Sequence, residues 1–434
     1  GDVKTATQQL PANIIEKVQV IDDYGDQANL TGVRDGEGDK ILNFTIRKDK
    51  NKGFLARGIV GGGDQERYQG SLFTATFDND QQLALLGNFN NTNANVFSLT
   101  QGAVGGGGGG RGGRGGGGAT TGGDGLTGVN SVGFNYRDTW GKKITAYGSY
   151  SFNNRNNITS SSNLQDLLNG GTTISNNTFD NAENTSTNHR FNFNLEYRID
   201  SLNYLKIVPN VTFSNSDATT ISTFNTLNPT RGNTNGNSNV LNGFSNPNYG
   251  GEFLYNHRFG AKARNFSING NFNTTTTSQE QDYLYNLFNT QTTQLERYQF
   301  QIINGENQND NIRIRTSYTE PISKTKNIEF NYAYSFARTD NDRRVQNSNL
   351  STQEPIFDAS LSNAYVFDFV THRVGFNYRV NEKKYEYNVG FSAQPTSLTG
   401  TGGTNRQVTN LFPTGRFSYK FSRTRQITIS YDGQ

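Results

Sequence analysis

The chain has 434 residues, with 40 Lys and Arg against 37 Asp and Glu and a net charge of +3, so no basic excess drives nucleic-acid binding. The absence of cysteine excludes disulfides, thiolate metal sites and cysteine nucleophiles, and no apolar run is long enough for a transmembrane helix. Apolar residues make up only 32% at a mean hydropathy of −0.73, yet 12% of the chain is aromatic. Phe and Tyr in an Asn/Thr/Ser/Gly background point to β-structure with polar connections rather than to disorder. Residue 1 is Gly and Met is absent throughout, so the expectation is a processed chain or a fragment of a longer product.

The first fifty residues form a mixed element. LPANIIEKVQVI predicts a short helix, with Pro11 in its first turn, running into a strand over Lys17–Ile21. Asp22 to Asp39 is a turn-rich acidic loop, and Ile41–Arg47 is a second strand. Asp22, Asp23 and Asp26 resemble the start of a Ca²⁺ loop, but the remaining ligand positions are not filled.

From about residue 128 onward the dominant period is two. In RFNFNLEYRID, Phe191, Phe193, Leu195, Tyr197 and Ile199 share one face, and Arg190, Asn192, Asn194, Glu196 and Arg198 the other. The same alternation runs through FSINGNF, IEFNYAYSF, KYEYNVGFS and RFSYKF. Fifteen strands are expected, at about 53–61, 67–77, 81–90, 129–139, 143–153, 188–200, 203–215, 250–260, 263–277, 310–320, 326–339, 366–380, 384–395, 411–422 and 424–432. Every second connection is short. The others, 91–128, 154–187, 216–249, 278–309, 340–365 and 396–410, read as long polar loops. Short turns at one end and long loops at the other are the signature of an outer-membrane barrel, with the apolar face toward lipid and the polar face toward the lumen. The competing fold is a soluble sandwich.

The tract GGGGGGRGGRGGGG lies in the first long connection. It lacks the aromatics of an RNA-binding Gly/Arg tract and the Lys-Ser/Thr and helix of a phosphate loop. The expectation is a flexible extracellular loop over 102–126, with Arg111 and Arg114 maintaining solubility.

LPANIIEKVQVIDDYGDQANLTGV followed by KILNFTIRKDKNKG resembles the end of a plug domain of the TonB-dependent receptor-like outer-membrane proteins of Bacteroidetes. VGFNYRDTWGKKITAYGSYSFNN and NLFPTGRFSYKFSRTRQITISYDG are similar to barrel hairpins of that family. The resemblance implies a plug (here residues 1–52, its C-terminal part) inside a barrel of about 22 strands (here 53–434, in part). It also implies uptake energised from the inner membrane. The implied partners are outer-membrane lipid, a TonB-like periplasmic energising protein and a surface lipoprotein, with no nucleic acid. The fifteen strands expected here fall short of such a barrel. The alternative function is a non-transporting barrel with a surface, adhesion or assembly role.

No catalytic motif is present, which points away from an enzyme, and no cofactor is expected. His189, His257 and His372 lie in different strands without a partner at metal-ligand spacing, so no metal site is expected. Arg137, Arg198, Arg315 and Arg379 fall on polar strand faces, where they contact a plug or an anionic ligand or serve in a hydrogen-bonded wall. Lys142, Lys143, Lys324, Lys326, Lys383, Lys384 and Arg423 cluster in the short turns, near headgroups or in solvent. Trp140 at a short turn suits an interfacial aromatic belt. The ligand is not legible.

Overall fold

The computed structural model describes residues 15–23, 25–26, 30, 39–47, 52–93, 125–169, 171–260, 264–349, 351, 354–422 and 425–433. The expected helix lies outside them up to residue 14, and Ile15 and Glu16 at its end are strand instead; the Gly/Arg tract lies outside them too. Near the N-terminus, β1 (Ile15–Asp23) and β2 (Asp39–Ile46) pair antiparallel as a separate two-stranded sheet, joined also by the Lys40–Asp22 ion pair.

All later strands belong to one antiparallel barrel sheet. They are β3 (Lys52–Gly62), β4 (Tyr68–Asp78), β5 (Gln81–Asn90), β6 (Leu126–Trp140), β7 (Ile144–Asn169), β8 (Thr172–Arg198), β9 (Asn203–Leu227), β10 (Thr234–Ser245), β11 (Asn248–Arg258), β12 (Asn265–Asn289), β13 (Leu295–Pro321), β14 (Lys326–Ser348), β15 (Ile356–Phe357), β16 (Asn363–Asn381), β17 (Tyr385–Gly400), β18 (Thr404–Lys420) and β19 (Gln426–Asp432). Successive strands are neighbours, as short connections dictate.

Two of these elements are not independent spans. Both β10 and β11 lie between β9 and β12, antiparallel to each, so they are collinear pieces of one strand. The break falls at Asn246–Pro247, where proline has no N–H for the ladder. The ladder bridges it, with Asn246 N donating to Ser214 O (2.7 Å) and Thr276 N to Pro247 O (3.2 Å). The two-residue β15 touches only the end of β14. Fifteen full strands remain among the described residues, the number expected from the sequence.

An odd count has a topological consequence. In an up-and-down order the first and last strands run the same way, so β3 and β19 cannot continue the antiparallel ladder into one another. The ring order returns from β19 to β3. No residue register spans that seam among the described residues, and these two strands have the most exposed burial patterns of the full-length strands.

The short-turn ends of the strands agree with the sequence reading within a few residues. The other ends do not. Most of the connections read as long loops are strand: β7 runs to Asn169, β8 begins at Thr172, β9 runs to Leu227, β12 to Asn289, and β13 begins at Leu295. Residues 234–245, read as loop, form β10. The apolar/polar contrast fades there because both faces are polar, and cross-strand amide–hydroxyl pairs replace apolar contacts. Asn154 Nδ2 donates to Thr187 Oγ1 (2.9 Å), Thr226 Oγ1 to Asn176 Oδ1 (3.0 Å), and Thr339 Oγ1 to Asn309 Oδ1 (2.9 Å). β7, β8, β9, β12, β13 and β14 thus continue as a tall polar extension.

Below the extension, burial is inverted relative to a soluble domain. Exposed residues include Phe191, Ile207, Phe253, Phe272, Ile312, Phe330, Val374, Phe376, Val389, Phe391 and Phe417, all on one face. Buried residues on the opposite face include Asn88, Ser131, Asn256, Asn265, Ser267, Ser317, Glu329, Thr371, Ser392 and Ser418. Exposed apolar surface on this scale needs lipid to cover it. On β14 the apolar face runs from Ile328 to Phe336, about 25–30 Å along the strand, a bilayer core's height.

Phe–Gly pairs tighten this face. Across β11 and β12, Phe253 stands opposite Gly270 and Gly251 opposite Phe272. A Cβ on Gly270 would lie 2.0 Å from the Phe253 ring, and one on Gly251 would lie 2.6 Å from the Phe272 ring. The rings lie flat over the glycines, the aromatic rescue used in sheets. Trp140, at the short-turn rim, is about half exposed and donates its indole N–H to Tyr136 Oη (3.1 Å), which bonds Asp138 in turn (3.2 Å). An amphipathic ring with a wet polar end suits the membrane interface.

One region departs from the expected apolar-out pattern. On β3–β5 the inward face is apolar too: Phe73, Ala75 and Leu86 are buried, with Leu55, Phe77 and Ala84 packed against them.

Candidate functional site

Alternation along each strand decides which side chains reach the lumen. In β13, Arg313, Arg315, Ser317 and Thr319 point inward, and Ile312, Ile314, Thr316 and Tyr318 outward. Following the ladder sideways at the level of Arg315 gives Glu196, Lys206, Leu254, Asn269, Arg315, Ala333 and Arg373 on β8, β9, β11, β12, β13, β14 and β16. This rung carries four charged side chains, Glu196, Lys206, Arg315 and Arg373.

Its first cation is engaged by the N-terminal segment. Lys206 makes an ion pair and hydrogen bond with Asp26, and Arg258 Nη2 donates to Leu30 O (2.8 Å). Both barrel residues are close to the short-turn rim. Next to Lys206, Glu196 accepts from Tyr147 Oη (3.0 Å).

A second cation is engaged within the wall. Arg379 Nη2 lies 2.8 Å from Glu329 Oε2, with side-chain exposures of only 14% and 11%, and Ser317 Oγ donates to Glu329 Oε1 (2.9 Å). Buried charges require such pairing.

The remaining cations on or beside the rung are Arg313, Arg315 and Arg373. Arg373 Nε donates to Ser392 Oγ (2.9 Å), and its guanidinium lies 4.9 Å from the centre of the Phe412 ring, a cation–π contact. The charges of Arg313 and Arg373 both act on Arg315, which is exposed on the inner face, as is Arg313. Among the described residues, neither Arg313 nor Arg315 has an ion-pair partner.

Of the four arginines singled out in the sequence, Arg379 is paired with Glu329. Arg137 stacks on Tyr147, 5.4 Å from its centre. Arg315 joins Arg313 and Arg373. Arg198, opposite Tyr204 at the short-turn end, is apart from them. Sequence reading missed Lys206, Arg313, Glu329 and Arg373, and noted Asp26 only for its resemblance to a Ca²⁺ loop. Part of the signal was present: NIRIRTSY places two arginines two residues apart on a polar face. Which strands lie side by side, and in what register, was not available to bring Arg373 to them.

The histidines lie on the outer face and do not meet. Tyr150 and His189 share a hydrogen bond (2.9 Å), as do Tyr332 and His372 (2.9 Å), and His257 contacts Asn203 (2.7 Å). No group of three His or carboxylate residues is placed to hold a metal among the described residues. Of the turn lysines, Lys143 donates to Ile199 O (2.7 Å), tying two adjacent turns. Arg423 lies outside the described residues.

Higher in the extension, Phe224 and Tyr285 stack with centres 5.3 Å apart and planes 15° apart, and Arg297 covers Tyr285 at 5.5 Å. Arg297 and Gln299 also line an open cleft of about 370 Å³ with Asn347 and Ser348.

A search of curated proteins finds no match to this chain. Among solved structures, the chain is similar to the FrpB iron transporter from Neisseria meningitidis at 10% identity and a TM-score of 0.22, covering 96% of this chain and 74% of that one. It is similar to the copper transporter OprC at 7% identity and a TM-score of 0.18, covering 98% and 80%. It is similar to the alcaligin outer-membrane receptor FauA from Bordetella pertussis at 8% identity and a TM-score of 0.17, covering 100% and 82%. Residues 257–434, from the end of β11 through β19, match the family described as outer membrane protein beta-barrel.

Proposed function

We propose that the chain is an outer-membrane receptor and transporter of the TonB-dependent type found in Bacteroidetes. In this reading residues 1–52 are the C-terminal part of a plug, and 53–434 are part of the barrel that surrounds it. The observation that carries the reading is the seating of Asp26 and Leu30 on inward-facing Lys206 and Arg258. A segment held by charges inside a polar-walled, lipid-facing barrel is what a gate needs: fixed at rest, releasable by force or by competing charge. Energy would come from a TonB-like periplasmic protein, and a surface lipoprotein would cap the outer end, to which this reading also assigns the 102–126 loop.

The test is release of the gate. With Lys206→Glu and Arg258→Gln combined, the expected result is a higher outer-membrane permeability to a large hydrophilic antibiotic at unchanged protein level. Unchanged permeability with normal insertion would overturn the plug assignment. A second reading, a barrel acting by surface contact without transport, draws on the tall polar extension with its aromatic stack and cleft. Deletion that leaves nutrient uptake intact but alters adhesion or envelope integrity would favour it.

A further inference from the structure

We infer that Arg313, Arg315 and Arg373 form an oxyanion-binding site on the inner wall, suited to a ligand with two or more carboxylate or phosphate groups. The inference deepens the receptor reading and rests on it for the ligand's route to the wall; binding itself does not depend on import.

Three features carry it. First, the cations converge. Arg313 and Arg315 are two residues apart on the same face of β13. Arg373 is two strands away on the same rung, about 10 Å across, with Ala333 between them. Alanine presents only a methyl group, so the space between the two guanidinium groups is open to the lumen. Ser335 on β14 and Asn269 and Asn271 on β12 border it with hydrogen-bonding groups that bear no negative charge.

Second, none of the three arginines makes an ion pair among the described residues. The other lumenal cations in this quarter have partners: Lys206 has Asp26, Arg379 has Glu329, and Arg258 has Leu30 O. Of the nearby inward carboxylates, Glu329 is held by Arg379 and Ser317, and Glu252, two strands from Arg313 on its rung, accepts from the intervening Asn271 Nδ2 (3.3 Å) and makes no ion pair with Arg313. Two arginines on one face with a third across a small residue repel one another, a cost that an anion would remove.

Third, one member is positioned for a ligand. The Ser392 hydrogen bond takes Arg373 Nε, and Phe412 covers one face of the guanidinium. Those contacts fix its plane and leave its terminal nitrogens free to donate. Planar forks of this kind bind carboxylate and phosphate with two parallel hydrogen bonds.

Citrate and inorganic phosphate are the probes, titrated calorimetrically into the detergent-solubilised chain, with heat-modifiable gel migration to confirm folding. Saturable binding is expected, tighter for citrate than for phosphate. Arg315→Gln should weaken citrate at least about tenfold, the value of one charged hydrogen-bond pair. Arg344→Gln, which removes an equal charge from the exposed Arg344–Asp342 pair, should leave it unchanged. Ala333→Asp places a carboxylate between the arginines. It should abolish citrate binding while raising the melting temperature, an outcome that loss of fold would not mimic. No saturable binding to the unaltered chain, equal losses in Arg315→Gln and Arg344→Gln, or retained binding in Ala333→Asp would each overturn the site. The permeability test of the gate can fail while this one succeeds, and the reverse, so the two readings are separable.

Discussion

The two ends of β13 are the same ladder built for different surroundings. Toward the short turn, Ile312, Ile314, Thr316 and Tyr318 face outward and Arg313, Arg315, Ser317 and Thr319 inward. Toward the other end, from Gln299 to Gln308, polar and small residues occupy both faces, interrupted by Phe300, Ile302 and Ile303. β7, β8, β9 and β12 divide in the same way. In the lower part the backbone must be fully paired because lipid offers no hydrogen bonds, and the apolar face is fixed by its solvent. In the upper part water could satisfy the backbone, and the ladder persists because each residue added to an existing hairpin gains a cross-strand neighbour at little further entropic cost. The lesson is that the backbone architecture is continuous while the forces selecting its side chains change abruptly.

Ion pairs should separate the regions most strongly. Arg379–Glu329 is nearly buried at membrane level, whereas Arg344–Asp342 in the extension has exposures of 71% and 42%. Glu329→Gln leaves Arg379 buried without its counter-charge and should cost about 3–5 kcal/mol. Asp342→Asn should cost less than about 1 kcal/mol. Urea unfolding from lipid vesicles reads both, and equal losses would break the distinction. Lipid exposure gives the next largest contrast. Ile314→Lys puts a charge on the lipid face and should cost about 2–4 kcal/mol. Thr276→Lys, on the same outer face but in the extension, should stay within about 0.5 kcal/mol. A smaller, steric effect is expected at Gly270. Gly270→Ala must displace the Phe253 ring and should cost about 1–3 kcal/mol. If it is neutral, the Phe–Gly pairs only fill space.

The sequence was most legible where the solvent changes across the strand. RFNFNLEYR and IEFNYAYSF reveal both faces because lipid and lumen demand opposite residues, and β8 and β14 contain them. The extension was misread because runs such as TSSSNLQDLLN and INGENQND carry no such contrast. Asn, Ser and Thr serve equally in loops and in polar ladders, and only the cross-strand partners distinguish them. The site was legible in part. The face of Arg315 followed from period two, but its relation to Arg373 depends on β14 intervening with Ala333 in register. The contact between Asp26 and Lys206 joins residues 180 positions apart, beyond any local pattern.

Turns give the smallest effect and the one case where the two regions should converge. Asp200, in the short turn between β8 and β9, accepts from Leu202 N (2.7 Å) and Asn203 N (2.8 Å) as well as from the Asn203 side chain. Asp358, beyond the extension, accepts from Ser360 N (2.9 Å), Ser360 Oγ (2.6 Å) and Leu361 N (3.3 Å). Hydrogen bonding holds both carboxyls below their ordinary value of 3.8, chiefly through Asn203 for the first and Ser360 for the second. A carboxyl lowered on folding stabilises the folded state above its unfolded pKa and loses that contribution as pH falls through the lowered value. Asp200→Asn should therefore reduce the melting temperature slightly at pH 6, and the difference from the unaltered chain should vanish in strong acid. Asp358→Asn should follow the same pH course only in local amide exchange around 356–362, because β15 pairs with β14 alone and its opening need not unfold the barrel. A melting-temperature difference for Asp200→Asn that survives at low pH would place its cause outside the carboxylate's charge.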